Sequence, residues 1–381
     1  MPFAVFLLAL AVFAQGTSEF MLSGLLPELA ADLGIPVPAA GDLTSAFALG
    51  MIAGAPLMAV LALRISRRFA LTLFLAVFAA AHVVGAVTAS YPLLLVTRVV
   101  AAVADAGFLA VALATAGALV APDARGRATS VLLGGVTLAC VAGVPLGAVL
   151  GSHLGWRSVF WAVALLCLPP LAAIPLTVPG GRSSGAAPWR QFTVLGRVRL
   201  LHALLLGALV NGATFCAFTY LAVFAEGTGV WVPALLALFG LGSFAGVALS
   251  ARLSRLWPLL PVGWTLLALL GGEPVALIAL VPVTAALSFG VGASLIARVM
   301  SLTGDAPLLG GALATAALNV GAAAGPWLGG LALGAGGGPV WVSAGLAAGA
   351  VVVWVTYGTR RGRPSRSGGS AGGPGRTPSR R

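Results

Sequence analysis

The chain has 381 residues, of which 60% are hydrophobic and 8% charged, and its mean hydropathy is +1.07. A water-soluble domain carries about a quarter charged residues, so the composition excludes water as the main solvent and leaves room for about twelve apolar helices of roughly 20 residues each. The formal charge of +12 comes from 21 basic residues, every one an Arg, and their placement along the chain makes them loop anchors rather than a nucleic-acid surface.

The first apolar run begins at Phe3 without a basic leader and continues to residue 29. That is too long for the core of a signal peptide, so it reads as a first membrane span. Further runs follow at 42 to 63, 69 to 89, 92 to 120, 129 to 152 and 158 to 177, and then at 200 to 223, 231 to 251, 256 to 271, 274 to 297, 307 to 334 and 339 to 357. The ninth run is short for a span and calls for a locally thinned bilayer or a few borrowed flanking residues. Between the two groups of six, residues 178–199 contain Pro179, Gly180, Gly181 and four Arg, the composition of a linker. The expected organisation is therefore a six-helix bundle over 1–177, a cytoplasmic linker over 178–199, a second six-helix bundle over 200–358 and a disordered basic tail over 359–381. Cys140, Cys167 and Cys216 lie inside apolar runs, where they read as small packing residues rather than disulfides or metal ligands.

Counted from a cytoplasmic N-terminus, 19 of the 21 Arg fall in cytoplasmic segments, seven of them in the tail. The opposite side carries Glu28, Asp32, Asp42, Glu226 and Glu273, with Arg157 its sole basic residue. The positive-inside rule then puts both termini in the cytoplasm, with the tail available to anionic lipid.

The two groups of spans also echo each other. Phe47-Ala-Leu-Gly50-Met-Ile-Ala-Gly54 in the second run recurs 192 residues later as Phe239-Gly-Leu-Gly242-Ser-Phe-Ala-Gly246 in the eighth, and each is followed by a basic turn, Arg64 to Arg67 and Arg252 to Arg255. Equivalent places in two six-helix units imply a parallel duplication, with a substrate held between the units near the middle of the membrane.

Several motifs carry a resemblance over nearly the whole chain. Ala59 to Arg68 resembles the loop signature between the second and third spans of the major facilitator superfamily, with Leu63 where the family has Asp and Ala59 and Ser66 where it has Gly. Leu94-Leu-Val-Thr-Arg98 resembles that family's membrane-embedded Arg motif. Gly143-Val-Pro145-Leu-Gly147 resembles its antiporter motif in the fifth span, and Gly325-Pro326-Trp-Leu-Gly329 is a second copy in the eleventh. More narrowly, Gly16 to Pro27, Ala106 to Leu113, Asn211 to Phe215, Phe218 to Leu221 and Ala316 to Gly321 are similar to the chloramphenicol-resistance exporters of actinomycetes. The resemblance implies an all-α membrane protein of major facilitator fold, with twelve transmembrane helices in two pseudo-symmetric bundles. It also implies proton-coupled efflux of chloramphenicol or a similar small lipophilic drug across the cytoplasmic membrane by alternating access. Beyond the proton gradient no cofactor is expected; the partners are the drug, protons and membrane lipid, and the protein acts as a monomer.

Three ionisable residues fall well inside the apolar runs: Glu19, Arg98 and Asp105. A charge near the bilayer centre costs on the order of 3 kcal/mol, which makes each a functional candidate. Arg98 lies about 9 Å and Glu19 about 12 Å from the outer ends of their helices at 1.5 Å per residue, a depth match that permits an ion pair. Asp105 follows Arg98 by two turns on the same face. Burial and a nearby guanidinium act in opposite senses on a carboxylate, so either acid is tunable as a proton carrier; Glu19 is the first choice and Asp105 the second. A neutral lipophilic substrate needs an apolar pocket with a few polar contacts. The candidates are Phe20 beside Glu19, Phe108 beside Asp105, the one-face set Asn211, Phe215 and Phe218, and Asn319. A sugar or metabolite exporter is the alternative, and would show more polar spans. His82, His153 and His202 are scattered without metal-ligand spacing, which excludes a recognisable intramembrane enzyme site.

Overall fold

The computed structural model describes residues 2–62, 65–181, 198–253, 255–303, 307–335 and 338–361. Among them there is no strand, and the chain is a multi-pass bundle of helices. Ten helical stretches are long and apolar enough to cross a membrane: Phe3–Gly24, Val37–Ala55, Arg67–Val87, Tyr91–Ala118, Pro122–Leu154, Trp156–Thr177, Val198–Thr219, Pro274–Leu302, Gly310–Gly334 and Pro339–Thr356. Two shorter apolar helices, Val232–Ala248 and Trp257–Leu270, fill the eighth and ninth places. The twelve are numbered here as spans 1 to 12 in chain order. Span 9 is the short one that the sequence indicates.

Without a hydrophobic drive between helices in lipid, spans pack through small residues that let backbones approach. The internal repeat shows how. A Cβ on Gly50 would stand 2.7 Å from the Ala102 Cβ, and one on Gly54 2.8 Å from the Val103 Cα, so both glycines seat span 2 against span 4. Their counterparts Gly242 and Gly246 seat span 8 against span 10, where added Cβ atoms would lie 2.8 Å from the Pro282 Cα and 2.9 Å from the Ala286 Cα. The duplicated sequence thus makes the same helix contact twice.

One large apolar cluster is built almost wholly from residues 4–178 and a second almost wholly from residues 206–350. The exceptions are informative. Phe20, Ala48, Val144 and Ala148 belong to the second cluster, and Tyr220 to the first, so the two groups of spans interlock there.

The loop ends of the bundle are chemically distinct. At one end, the acidic end, Trp156 Nε1 donates to Asp32 at 3.0 Å, Arg157 pairs with the same carboxylate, and Arg157 donates to the Thr88 carbonyl at 3.2 Å. At the other, the basic end, Arg68 Nε donates to the Val178 carbonyl at 3.0 Å and the Arg67 N–H to the Gly181 carbonyl at 2.9 Å. The surviving arginines of the loop signature therefore tie the turn after span 2 to the end of span 6. Leu63 and Arg64, the linker arginines at 182, 190 and 197, and the tail from 362 lie outside the described residues.

Contacts joining spans 1–6 to spans 7–12 run from the middle of the bundle to the acidic end. Ser45 Oγ donates to the Ala323 carbonyl at 2.8 Å, Tyr220 packs on Gly41, and Gly330 faces Pro38. The bundle is closed at that end.

Candidate transport site

Span 1 changes character where its charged residue sits. Its α-helix ends at Phe20 and a 3-10 turn, Met21–Gly24, follows, with Ser23 Oγ donating back to the Phe20 carbonyl at 2.8 Å. Ser18, Glu19 and Phe20 thus occupy a last helical turn at mid-bundle, pointing three ways.

Ser18 points at span 4. Arg98 is fully buried; its Nη1 donates to Ser18 Oγ and its Nη2 to the Ser18 carbonyl, both at 2.9 Å, while its Cζ lies 4.4 Å from the centre of the Phe47 ring. Behind Ser18 stands His82 of span 3, with Nε2 2.6 Å from Ser18 Oγ and Nδ1 2.8 Å from the Phe78 carbonyl. Glu19 and Asp105 both lie within electrostatic reach of Arg98. Among the described residues, however, neither carboxylate is within ion-pair distance of the guanidinium. The depth match permits a Glu19–Arg98 pair, but here Ser18 occupies the guanidinium.

Phe20 points at spans 7 and 8. It meets Phe215 at 5.7 Å and Phe218 at 6.0 Å between ring centres; Phe218 meets Phe239 at 4.5 Å, and Phe239 meets Phe289 at 6.0 Å. With Cys140 and Thr214 these rings enclose a pocket between the first six spans and the last six. Its free volume is about 10 Å³, room for a single water. Cys140 is also within electrostatic reach of Glu19.

The structure brings Glu19, Phe20, Arg98, Asp105, Phe215 and Phe218 into one neighbourhood and leaves the other predicted pocket residues outside it. Phe108 is wholly buried in the core of spans 1–6. Asn211 Nδ2 donates to the Leu318 carbonyl at 2.7 Å, a tie between spans 7 and 11, and Asn319 Nδ2 donates to Thr315 of its own helix at 3.0 Å. Phe239, Phe289, Cys140 and Thr214 are additions that helical spacing within one span does not reveal. Phe239 had a signal all the same, because it is the repeat counterpart of Phe47. The glutamine one turn before Glu19, Gln15, is buried with both amide atoms unpartnered, a state that folded chains ordinarily resolve with water or a ligand.

The motif glycines are points of close approach. Gly143 abuts Thr17 of span 1, Gly147 abuts Val159 of span 6, Gly325 abuts Gly212 of span 7, and Gly329 packs on Cys216 and Tyr220. Just before Pro145, span 5 carries one π-helical turn, Ala139–Gly143. Such turns concentrate at functional sites, and this one presents Cys140 to the pocket. The Pro326 carbonyl, in the second copy, accepts from Tyr220 Oη at 3.0 Å.

A larger cavity of about 430 Å³ opens at the basic end among Leu206, Trp257, Leu295 and Trp354, with Arg255 and Arg298 in its wall. It shares no residue with the Glu19 neighbourhood. Among the described residues no three His, Cys, Asp or Glu gather as a metal ion requires.

A twelve-span bundle with an internal parallel repeat, charged side chains at its middle and a pocket between its halves defines a transporter, and comparison with known proteins agrees. The chain belongs to the Major Facilitator Superfamily, whose family model matches residues 8–308. It is 55% identical over 344 residues to the chloramphenicol resistance protein of Streptomyces lividans, covering 86% of this chain and 88% of that protein. It is 33% identical over 342 residues to the inner membrane transport protein YdhP of Escherichia coli strain K12, covering 86% and 87%. Among solved structures, a bacterial homologue of the human lysosomal transporter Spinster shares the fold, with a TM-score of 0.66 at 19% identity over 88% of this chain and 84% of that one.

Proposed function

We propose that this transporter exports chloramphenicol or a similar small lipophilic drug from the cytoplasm in exchange for protons. It sits as a monomer in the cytoplasmic membrane with both termini inside. The observation that carries the reading is the placement of Glu19 and Phe20 side by side, one within electrostatic reach of the buried Arg98 and the other lining an aromatic pocket, in a chain 55% identical to a chloramphenicol resistance protein. A neutral aromatic drug needs ring surfaces and one or two hydrogen bonds rather than a counter-charge. The pocket offers five phenylalanine rings, and the Thr214 hydroxyl beside them is committed to the Val210 carbonyl at 2.8 Å.

In this mechanism the acidic end faces outward and the structure holds it shut. When the protein faces out, Glu19 takes a proton; when it faces in, the proton leaves as drug binds. A discharged Glu19 releases Arg98, and the arrangement with Arg98 on Ser18 corresponds to that half of the cycle. Asp105, within reach of both groups, is the second candidate carrier. The motif glycines of spans 5 and 11 pack on spans of their own half, 1 and 6 in the first and 7 in the second, so each half moves as a unit when the two rock. A sugar exporter is the other reading, since a relative described as a probable sugar efflux transporter is 28% identical. A pocket walled by five phenylalanine rings favours the drug.

The test is chloramphenicol susceptibility of a pump-deficient bacterium carrying the native chain, the Glu19→Gln variant or an empty vector. The native chain is expected to raise the inhibitory concentration several-fold and the variant to abolish the rise. A variant that still pumps uphill in a proton-dependent way moves the carrier to Asp105. A well-expressed native chain without resistance overturns the substrate.

A further inference from the structure

The sequence gives His82 no partner, but the fold puts it at the end of a polarised chain of hydrogen bonds. A backbone carbonyl can only accept, so the contact between Nδ1 and the Phe78 carbonyl at 2.8 Å requires the proton on Nδ1. Charging the ring would then add a cation one hydroxyl away from Arg98 in a low-dielectric interior, so Nε2 is bare and accepts the Ser18 hydroxyl at 2.6 Å. With its own proton committed to His82, Ser18 Oγ presents lone pairs to Arg98 Nη1 at 2.9 Å. The donor sequence runs Arg98 to Ser18 to His82 to Phe78, each bond polarising the next. Nor is the imidazole free to turn away. Its ring is held between Phe78, 4.3 Å between centres, and Phe160, 5.7 Å.

We propose that His82, acting through Ser18, is a positioning residue that docks Arg98 away from the carboxylates, so that Arg98 shuttles between a serine–histidine dock and an acid during the transport cycle. Two observations carry this beyond packing. Arg98 is fully buried, yet its guanidinium contacts one serine and one ring face, with Nε unpartnered; a buried cation so held, with two acids in reach, has a second place to go. And the dock draws on three spans, 1, 3 and 4, so docking Arg98 fixes their relative positions. The charged and titratable groups around the acids are Arg98 on span 4, Cys140 on span 5 near Glu19, and Cys167 on span 6 near Asp105. Arg98 and the proton compete for the same carboxylate. Removing the dock releases Arg98 to compete harder, so more acid is needed to load the transporter.

The inference rests on the proton-coupled reading above, and the test separates the two. Spin labels on cysteines introduced at Gly126 and Leu256, exposed positions at the basic end of the two halves, in a background without the three native cysteines, report opening as a distance against pH with no drug present. The native protein is compared with His82→Phe, which keeps the ring and loses the acceptor, and with His82→Gln, which restores an acceptor near the Nε2 position. The pH midpoint is expected to move toward acid by a unit or more in H82F and to return in H82Q. In parallel, H82F reconstituted in vesicles is expected to lose uphill drug transport at least fivefold while drug counterflow and drug affinity stay within twofold of native. One midpoint for all three proteins overturns the dock, as does an H82F protein that loses counterflow and pumping together. If the native protein alternates with pH but moves no chloramphenicol, the substrate reading fails and the distance measurement still decides the role of His82.

Discussion

Phe218 touches three other rings, those of Phe20, Phe215 and Phe239, and joins the first span to the eighth. An aromatic ring stacked on a ligand is worth about 0.5 to 1.5 kcal/mol beyond its buried area, and at 1.4 kcal/mol per decade the upper end with the lost area brings the effect to about tenfold in affinity. Phe218→Ala is therefore expected to weaken chloramphenicol binding to the purified protein about tenfold by calorimetry. Phe108→Leu, inside the core of spans 1–6, should leave binding unchanged. Equal affinities for the native protein and F218A would remove the aromatic pocket from the drug's path. The half of this site carried by spans 1, 4 and 7 was legible in the sequence, because Glu19, Arg98 and Asp105 stand out as charges in apolar runs and Phe215 and Phe218 share a helical face. Phe289 and His82 were not, because each acts through a partner on another span, and Phe239 showed only as the repeat counterpart of Phe47. For His82, the chemistry lies in what its two nitrogens face, which no spacing along one helix encodes.

At the scale of the helix, the twelve spans could be read from apolar length and charge alone, since lipid leaves few alternatives to a hydrogen-bonded helix. Some of their ends shifted, by seven residues at the start of span 5, from 129 to 122, because helices run past the apolar stretch into the loops. The π-helical turn in span 5 could not, because Ala139–Gly143 differs from regular helix by its hydrogen-bond register and not by composition. The glycine contacts came through the repeat, and they can be tested. A side chain at Gly246 meets the backbone of Ala286, which cannot rotate away, so Gly246→Val is expected to cost about 1 to 3 kcal/mol, the range for overpacking. It should lower the melting temperature by several degrees in a detergent thermal-shift assay, while Gly117→Ala, with open space around it, should not. At the acidic end, hydrogen bonds from Arg157 and Trp156 hold the Asp32 carboxyl below the ordinary aspartate range. The stability it adds is thus present above the ordinary aspartate pKa and lost as pH falls through the lower folded value. The pair is largely exposed, so Asp32→Asn should cost less than about 1 kcal/mol at neutral pH, and the two melting curves should converge in acid.

For the whole molecule, the small pocket and the closed acidic end are one fact. A drug-sized ligand needs several hundred Å³, whereas the aromatic rings leave about 10 Å³, so the two halves must part before the pocket can hold it. The closure has a point where it can be pinned. A Cβ on Gly330 of span 11 would stand 3.3 Å from the Pro38 Cβ at the start of span 2, close to the 3.5–4.5 Å between Cβ atoms across a disulfide. Pro38→Cys with Gly330→Cys, in a background without Cys140, Cys167 and Cys216, is expected to crosslink under mild oxidant and hold the acidic end shut. Drug efflux from vesicles should then fall at least tenfold and recover on reduction, while neither single substitution responds to oxidant or reductant. Binding from the basic end should survive the crosslink, because the lock removes only the opposite opening. If the crosslinked protein transports at the native rate, separation of Pro38 from Gly330 is no part of the cycle, and the drug must leave by a route that does not open the acidic end.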